Sequence, residues 1–311
     1  MENLVSVASQ VAVLFVLMGV GAVLRRLKLL GDGAIGGMVN LLMFVVTPCV
    51  IIDCFQRPFD SAMLGGLGLA FAFASFGHLA LIALSALCVR GGGDDTRRTL
   101  RLAAVFSNAG FMGLPLEQAI LGPRGVFFGA VYIVVFNLFI WSWGVKTMGE
   151  ESGGRSEGLL KSVFNPGTVG IALGLPLFLM SVSLPAVVAE PVRHLANLNT
   201  PVAMVVIGYS LVGVKFGRVA RSGGVYAAAA LRLFASPLLL VAAMLPFRRW
   251  LDPDMMLAMV IASSAPVAAL VSIFSAKFRR DVDVGVAIVS GTTLISIVTM
   301  PVVIALAMAL L

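Results

Sequence analysis

Histidine occurs only twice in this chain of 311 residues, and Asp, Glu, Lys and Arg together make up 12% of it. Few side chains are therefore available as general acids, bases or metal ligands, and the spacings that would gather them are missing. No HExxH run is present, nor a GxxxxGK[ST] phosphate loop that would power a pump. Cysteine is as sparse. Cys49, Cys54 and Cys88 lie in or beside apolar runs without CxxC or Cys/His spacing, the pattern of inert buried thiols rather than of a metal or redox pair. No metal or cofactor is expected. An intramembrane enzyme would need a nucleophile with a base, or a metal cluster, so the chain is read as a non-enzyme with that alternative least favoured.

What fills the chain instead is hydrocarbon. Hydrophobic residues make up 59% and mean hydropathy is +1.04, far from the composition of a soluble domain. A helix needs about 20 mostly apolar residues to cross a bilayer. Ten segments meet that length, at roughly 4–24, 34–54, 62–89, 100–121, 125–148, 159–180, 186–213, 223–247, 255–277 and 283–310. The first is expected to stay as a helix. Arg25, Arg26 and Lys28 follow it and no basic residue precedes it, the reverse of a signal peptide.

The net charge of +7 is unevenly spread. Basic residues crowd the loops after the odd-numbered segments, for example Arg25, Arg26 and Lys28, or Arg97, Arg98 and Arg101, or Lys277, Arg279 and Arg280. The opposite loops hold Arg57, Arg124, Arg193, Arg248 and Arg249. Lys and Arg in short loops mark the cytoplasmic side. Both termini are therefore expected on the outer, periplasmic or extracellular, face of a cytoplasmic (inner) membrane. Orientation and anionic lipid account for the charge, and nucleic acid is not an expected partner.

Five segments per half would turn the second half upside down relative to the first. Pro48 and Pro201, Pro115 and Pro266, and His78 and Arg232 recur at nearly one offset. The expected fold is an all-α integral membrane protein of ten transmembrane helices in two inverted five-helix repeats, residues 1–148 and 159–311, joined by a short cytoplasmic linker at 149–158.

Two segments stand out within that plan. The fourth contains FSNAGFMGLPLEQAILG (106–122), with Ser107, Asn108, Gly110 and Gly113 ahead of Pro115; the ninth contains VIASSAPVAALVSIFSAKF (260–278), with Ser263 and Ser264 ahead of Pro266. Proline removes a donor and clashes with the preceding turn. Non-helical backbone within a membrane is tolerated only where it is buried in protein or lines a wet cavity, and matched breaks in two halves point to a transporter's binding site. Half-helices beginning near Pro115 and Pro266 would aim N–H groups and positive dipole ends at the midplane, which favours an anion. A simple kink is the alternative.

Three ionisable groups inside segments each ask for a reason. His78 is read as a proton carrier or as a neutral interhelical hydrogen-bond partner. Arg232 is read as the counter-charge of a substrate carboxylate or as a fixed cation that holds neighbouring carbonyls and helix ends. Glu117, one turn past Pro115, is read as a coupling group or as a cap.

The runs GFMGLPLEQAILG, VFNLFIW, NPGTVGIALGL (165–175), NLNTPVAMVVIGYSL (197–211), LRLFASPLLL (231–240) and IFSAKF (273–278), with TTLISIVTMP ending at Pro301, resemble the auxin efflux carrier family over the whole length and in order. That family holds plant auxin exporters and many bacterial-type permeases. The resemblance implies a fold related to bile-acid symporters and sodium/proton antiporters. Helices 1, 2, 6 and 7 would form a scaffold, and helices 3–5 and 8–10 a transport domain in which the broken helices 4 and 9 cross. It also implies movement of organic anions by an elevator-like shift. Residue by residue, Asn108, Gly110, Gly113 and Pro115 match the helix 4 break, and Ser264, Ala265 and Pro266 approximate the helix 9 break. Asn137 matches a polar position in helix 5, and Arg232 with Pro237 matches the helix 8 pattern. Ser263 and Thr292 complete the expected substrate-binding set. The chain departs from plant members in offering only His78 where they place an acid and a base, and in its short central loop.

The expectation is a secondary active transporter of a small organic anion, in the first instance a carboxylate. A passive channel is the alternative. Coupling to protons or sodium, and a homodimer, stay open.

Overall fold

The computed structural model describes residues 2–90, 92–149, 166–212 and 222–311. The expected linker at 149–158 beyond Gly149, and the basic residues Arg155, Lys161, Lys215, Arg218 and Arg221, lie outside them. Among the described residues the regular structure is entirely helical, with one isolated antiparallel bridge and no strand. In chain order the elements are α1 (Glu2–Arg26), α2 (Asp32–Cys54), α3 (Ser61–Cys88), α4 (Asp94–Val105), α5 (Ala109–Met148), α6 (Pro166–Leu179), α7 (Ala186–Ala196), α8 (Asn199–Leu211), α9 (Gly223–Phe247), α10 (Pro253–Ser264), α11 (Leu270–Lys277) and α12 (Val282–Leu310).

Five of these, α2, α3, α5, α9 and α12, are long and apolar enough to cross a membrane. The sequence expected ten crossings. Among the described residues, most of the difference has local causes. At 40 residues α5 covers two expected segments, and it folds back at Gly122, whose φ of 65° and ψ of −155° suit glycine alone. The seventh and ninth expected segments are interrupted, at 197–198 and 265–269, so each is two shorter helices.

Three prolines share one local solution. Pro48, Pro115 and Pro237 each stand in the first turn of an α-helical stretch that a five-residue π-turn precedes: Leu42–Val46, Ala109–Gly113 and Leu231–Ala235. The missing proline N–H would leave a carbonyl of the preceding turn without its donor, and the wider turn relieves the ring clash. In α2 the Thr47 hydroxyl supplies a donor, reaching the Leu42 carbonyl at 2.8 Å.

Helices α1 and α8 approach until backbone meets backbone. A Cβ on Gly21 would run into the Val205 carbonyl and one on Gly208 into the Met18 carbonyl. Small residues let helices pack this closely where no hydrophobic driving force exists in lipid. Arg25 ties the end of the contact, donating to the Tyr209 carbonyl at 3.0 Å with its guanidinium over the Tyr209 ring.

Candidate functional site

The centre of the molecule is a crossing of two interrupted helices. The chain leaves α4 at Val105, runs extended through Phe106 (φ −100°, ψ 116°) and turns into α5 after Asn108 (φ −78°, ψ 49°). It leaves α10 at Ser264, extends through Ala265 (φ −60°, ψ 146°) and re-enters a helix at Leu270. The two extended stretches lie antiparallel, with Ser107 opposite Val267. The Asn108 N–H donates to the Pro266 carbonyl at 2.7 Å, and the Ala268 N–H donates to the Phe106 carbonyl at 2.9 Å. Each break thus supplies hydrogen-bond partners that the other lost. An orphaned amide or carbonyl at this burial would cost about 1–3 kcal/mol.

The expected half-helix starts are corrected by this geometry. The new helices begin at Ala109 and Leu270, not near Pro115 and Pro266. Pro115 follows the wider turn Ala109–Gly113, which makes room for its ring at the start of the α-helical stretch. Pro266 lies in the extended stretch and offers its carbonyl across the crossing.

Arg232, fully buried on α9, holds the crossing from behind. Its Nη1 donates to the Val105 carbonyl at 2.6 Å, and its Nη2 donates to the Ser263 carbonyl at 2.5 Å and to the Ser236 hydroxyl. Val105 and Ser263 are the closing turns of α4 and α10, where carbonyls lack helical donors and the dipole favours a cation. One planar fork therefore caps two helices.

The other expected residues divide. Asn108 faces the crossing with its backbone in the ladder, and its carbonyl accepts from the Met112 and Gly113 N–H groups. Gly110 is half-buried, and a Cβ there would meet nothing within 4 Å, so space opens beside it. Gly113 abuts Ala262 of α10. Thr292 of α12 accepts from the Val267 N–H at 3.2 Å. Ser263 and Ser264 turn their hydroxyls back to Val260 and Ile261 of their own helix. Asn137 does the same, its amide donating to the Ile133 carbonyl at 2.8 Å, and is not brought to the crossing by any hydrogen bond. His78 lies behind the first break, stacked on Phe139 with centroids 5.3 Å apart and flanked by Tyr132 and Phe106; its Nδ1 pairs with the Ala74 carbonyl. Glu117 is buried with neither oxygen hydrogen-bonded, so the capping bond is not made.

Sequence reading missed Tyr132, whose hydroxyl accepts from Ser107 at 3.4 Å, and Ser236 beneath Arg232. The sole signal for either was a polar group in an apolar run. A cleft between α1, α5 and α12, lined by Leu14, Phe15, Met18, Met112, Leu116, Ser296 and Met300, reaches the first turns of α5 beyond Asn108. Serine-hydrolase spacing does occur once, in GRSEG at 154–158. That pattern acts only on a strand-to-helix turn; it falls in the polar linker, outside the described residues.

Polar clamps close both ends of the bundle. Arg98 donates to the Thr147 carbonyl and Arg280 to the Met148 carbonyl and to Asp95, which fixes the end of α5 to the starts of α4 and α12. The Arg98 guanidinium, and after it that of Arg97, holds the Asp94 carboxyl below its ordinary value. At the other end Arg124, beside the Gly122 turn, pairs with Asp252 and Asp254 at the start of α10, and the Asp252 carboxylate raises its pKa further.

A family model described as "Membrane transport protein" matches residues 6–158 and 156–304. The chain belongs to that family. It is the auxin efflux carrier family of the sequence resemblance, and a membrane transport protein of this family spans the bilayer several times and carries a substrate across it. The chain is also 26% identical over 292 residues, 92% of its own length and 93% of the relative's, to an "Uncharacterized transporter" of Methanothermobacter thermautotrophicus.

Proposed function

We propose that this family member is a secondary carrier that moves a small organic anion, a carboxylate in the first instance, across the cytoplasmic membrane by alternating access. The observation that carries the reading is the backbone pairing of Ser107 with Val267. Two helices interrupted at one place, with polar backbone kept inside protein, support a ligand site over a simple kink. The first N–H groups of α5, at Ala109, Gly110 and Phe111, precede any helical carbonyl they could bond. They lie beside the open space at Gly110 and next to Asn108, the arrangement that receives an anionic group.

In this reading the bilayer is crossed ten times by two inverted repeats, 1–148 and 159–311, with both termini outside. Helices α1, α2, α6, α7 and α8 form the scaffold, against which α3–α5 and α9–α12 shift as one transport domain. The anion occupies the crossing, held by the α5 N–H groups with Asn108 as the specifying side chain. Arg232, whose two terminal nitrogens are used on two helix ends and Ser236, contributes field rather than a direct bond.

A thermal-shift screen of purified protein in detergent against short carboxylates, aromatic acids and amino acids tests this. A ligand at a hundredfold excess over its Kd stabilises the folded state by about 2.7 kcal/mol. The expected result is a shift by one anion class that Asn108→Ala removes. A shift that survives in Asn108→Ala would overturn the site; no shift with any anion would overturn the substrate class.

A further inference from the structure

Among the described residues Glu117 is the one acidic side chain that is fully buried, at 1% exposure, and neither carboxyl oxygen has a hydrogen-bond partner. The sequence builds its recess. After the turn at Gly122 the chain reads Gly125-Val-Phe-Phe-Gly129, and this Gly-x-x-x-Gly spacing lets the two arms of α5 close on each other. A Cβ on Gly125 would crowd the Glu117 carbonyl and the Leu121 side chain, and one on Gly129 would overlap the Glu117 carboxyl itself. The absent side chain at 129 is the space the carboxyl fills.

The recess offers nothing to neutralise a carboxylate. Of the elements packed on α5 around Glu117, α2 brings Cys54 within electrostatic reach, and Cys54 is itself next to Asp53 and Arg57. Arg57 lies over the Phe127 ring and donates to the Cys54 carbonyl. Helix α3 brings His78, held in its aromatic box. Helix α10 brings Asp254, paired with Arg124. Helix α1 brings Arg25, which faces Tyr209, and Arg26 beside it; α6 and α8 bring no charged group. A buried ionised carboxylate without partners is far more costly than a neutral acid. A metal cation is no better served, because it would need several oxygens, and no group of three or more His, Cys, Asp or Glu gathers among the described residues.

We propose that Glu117 is a proton-binding site of this carrier, loaded in the closed arrangement seen here. One proton from the aqueous phase bonds to a carboxyl oxygen when the recess opens to one side, and the same O–H bond breaks when it opens to the other. No electron moves and no other bond changes. The site lies where α5 packs on the C-terminal end of α2, through the rings of Phe127 and Phe55 at 4.8 Å. In the carrier reading that contact joins transport domain to scaffold, so a shift of one against the other would uncover the carboxyl. The use of the proton to drive an anion rests on that reading; the binding of the proton does not.

The test has two arms. Infrared spectra of the detergent-purified full chain at neutral pH, in light and heavy water, report the carbonyl stretch of a protonated carboxylic acid, which exposed ionised carboxylates lack. The expected result is one such band, lost in Glu117→Gln, which keeps the shape of the neutral acid, and displaced in Gly129→Ala. Its absence from the unmodified protein at neutral pH would overturn the proposal whether or not the variants fold. A sodium-dependent thermal shift that Glu117→Gln abolishes would overturn it in favour of a metal cation. In the second arm, proteoliposomes with an enclosed pH dye report proton entry when the screen's carboxylate is added outside. Proton entry that Glu117→Gln removes, while thermal-shift binding of the carboxylate persists, is the expected outcome. If no carboxylate binds, the carrier reading fails and the infrared result still decides the proton site.

Discussion

The two breaks at the crossing are made differently. At the second, between α10 and α11, the hydroxyls and the Val267 N–H are spoken for: Ser263 and Ser264 bond back to their own helix, the Val267 N–H rests on Thr292, and the stretch from Ser263 to Ala268 is buried throughout. At the first, between α4 and α5, Asn108 keeps 8% exposure and open space stands beside Gly110. In the proposed carrier the second break would be the support, and the first would carry the ligand chemistry.

The change that would undo the comparison altogether is at Arg232, because it holds both arms. Arg232→Leu orphans the Val105 and Ser263 carbonyls. Each costs about 1–3 kcal/mol, so a loss of about 2–6 kcal/mol is expected, read as a large fall in detergent melting temperature. Arg232→Lys should recover part of it, since an ammonium lacks the fork that spans two carbonyls. Equal stability of the leucine variant would mean that the crossing is held by backbone pairing alone.

The comparison is sharpened by paired variants on the two arms. Asn108→Ala should weaken binding of the anion found by screening tenfold or more, about 1.4 kcal/mol, with little change in melting temperature. Ser264→Ala should leave binding within twofold, because its hydroxyl is already used at 2.9 Å on the Ile261 carbonyl. The reverse ranking would place the ligand on the second arm. Thr292→Val removes the acceptor of the buried Val267 N–H, and a loss of about 1 kcal/mol in stability is expected, with affinity falling only through the distorted support.

Much of this asymmetry was legible in the sequence, and the reason it was incomplete is physical. Asn, two glycines and a proline around 108–115 announced a break, and SSAP at 263–266 announced its counterpart. Proline position did not give the break positions, because a proline is accommodated in the first turn of a new helix as readily as in an extended stretch; Pro115 took the first course and Pro266 the second. Nor could composition say that Ser263, Ser264 and Asn137 would bond to their own helices, since a hydroxyl or amide in hydrocarbon takes the nearest carbonyl when no other partner is in reach. Arg232 left two roles open until the positions of Val105 and Ser263 were known. Both are closing helical turns, contacts made across the fold by residues far apart in the chain.

The smallest expected effect lies at the rim of the same two arms. Arg124, beside the Gly122 turn, pairs with Asp252 and Asp254 at the head of α10, and so joins the first arm to the second well away from their crossing. All three side chains are between 25% and 44% exposed, where water and salt screen the pair and side-chain entropy offsets it. Arg124→Ala should therefore cost less than about 1 kcal/mol. The difference should shrink as ionic strength rises, which melting curves at low and high salt would show. If the variant instead lost several times more, and lost it at high salt too, the hairpin would depend on its rim rather than on Gly125 and Gly129. The rigidity assigned to the second arm would then come from its ends and not from Thr292.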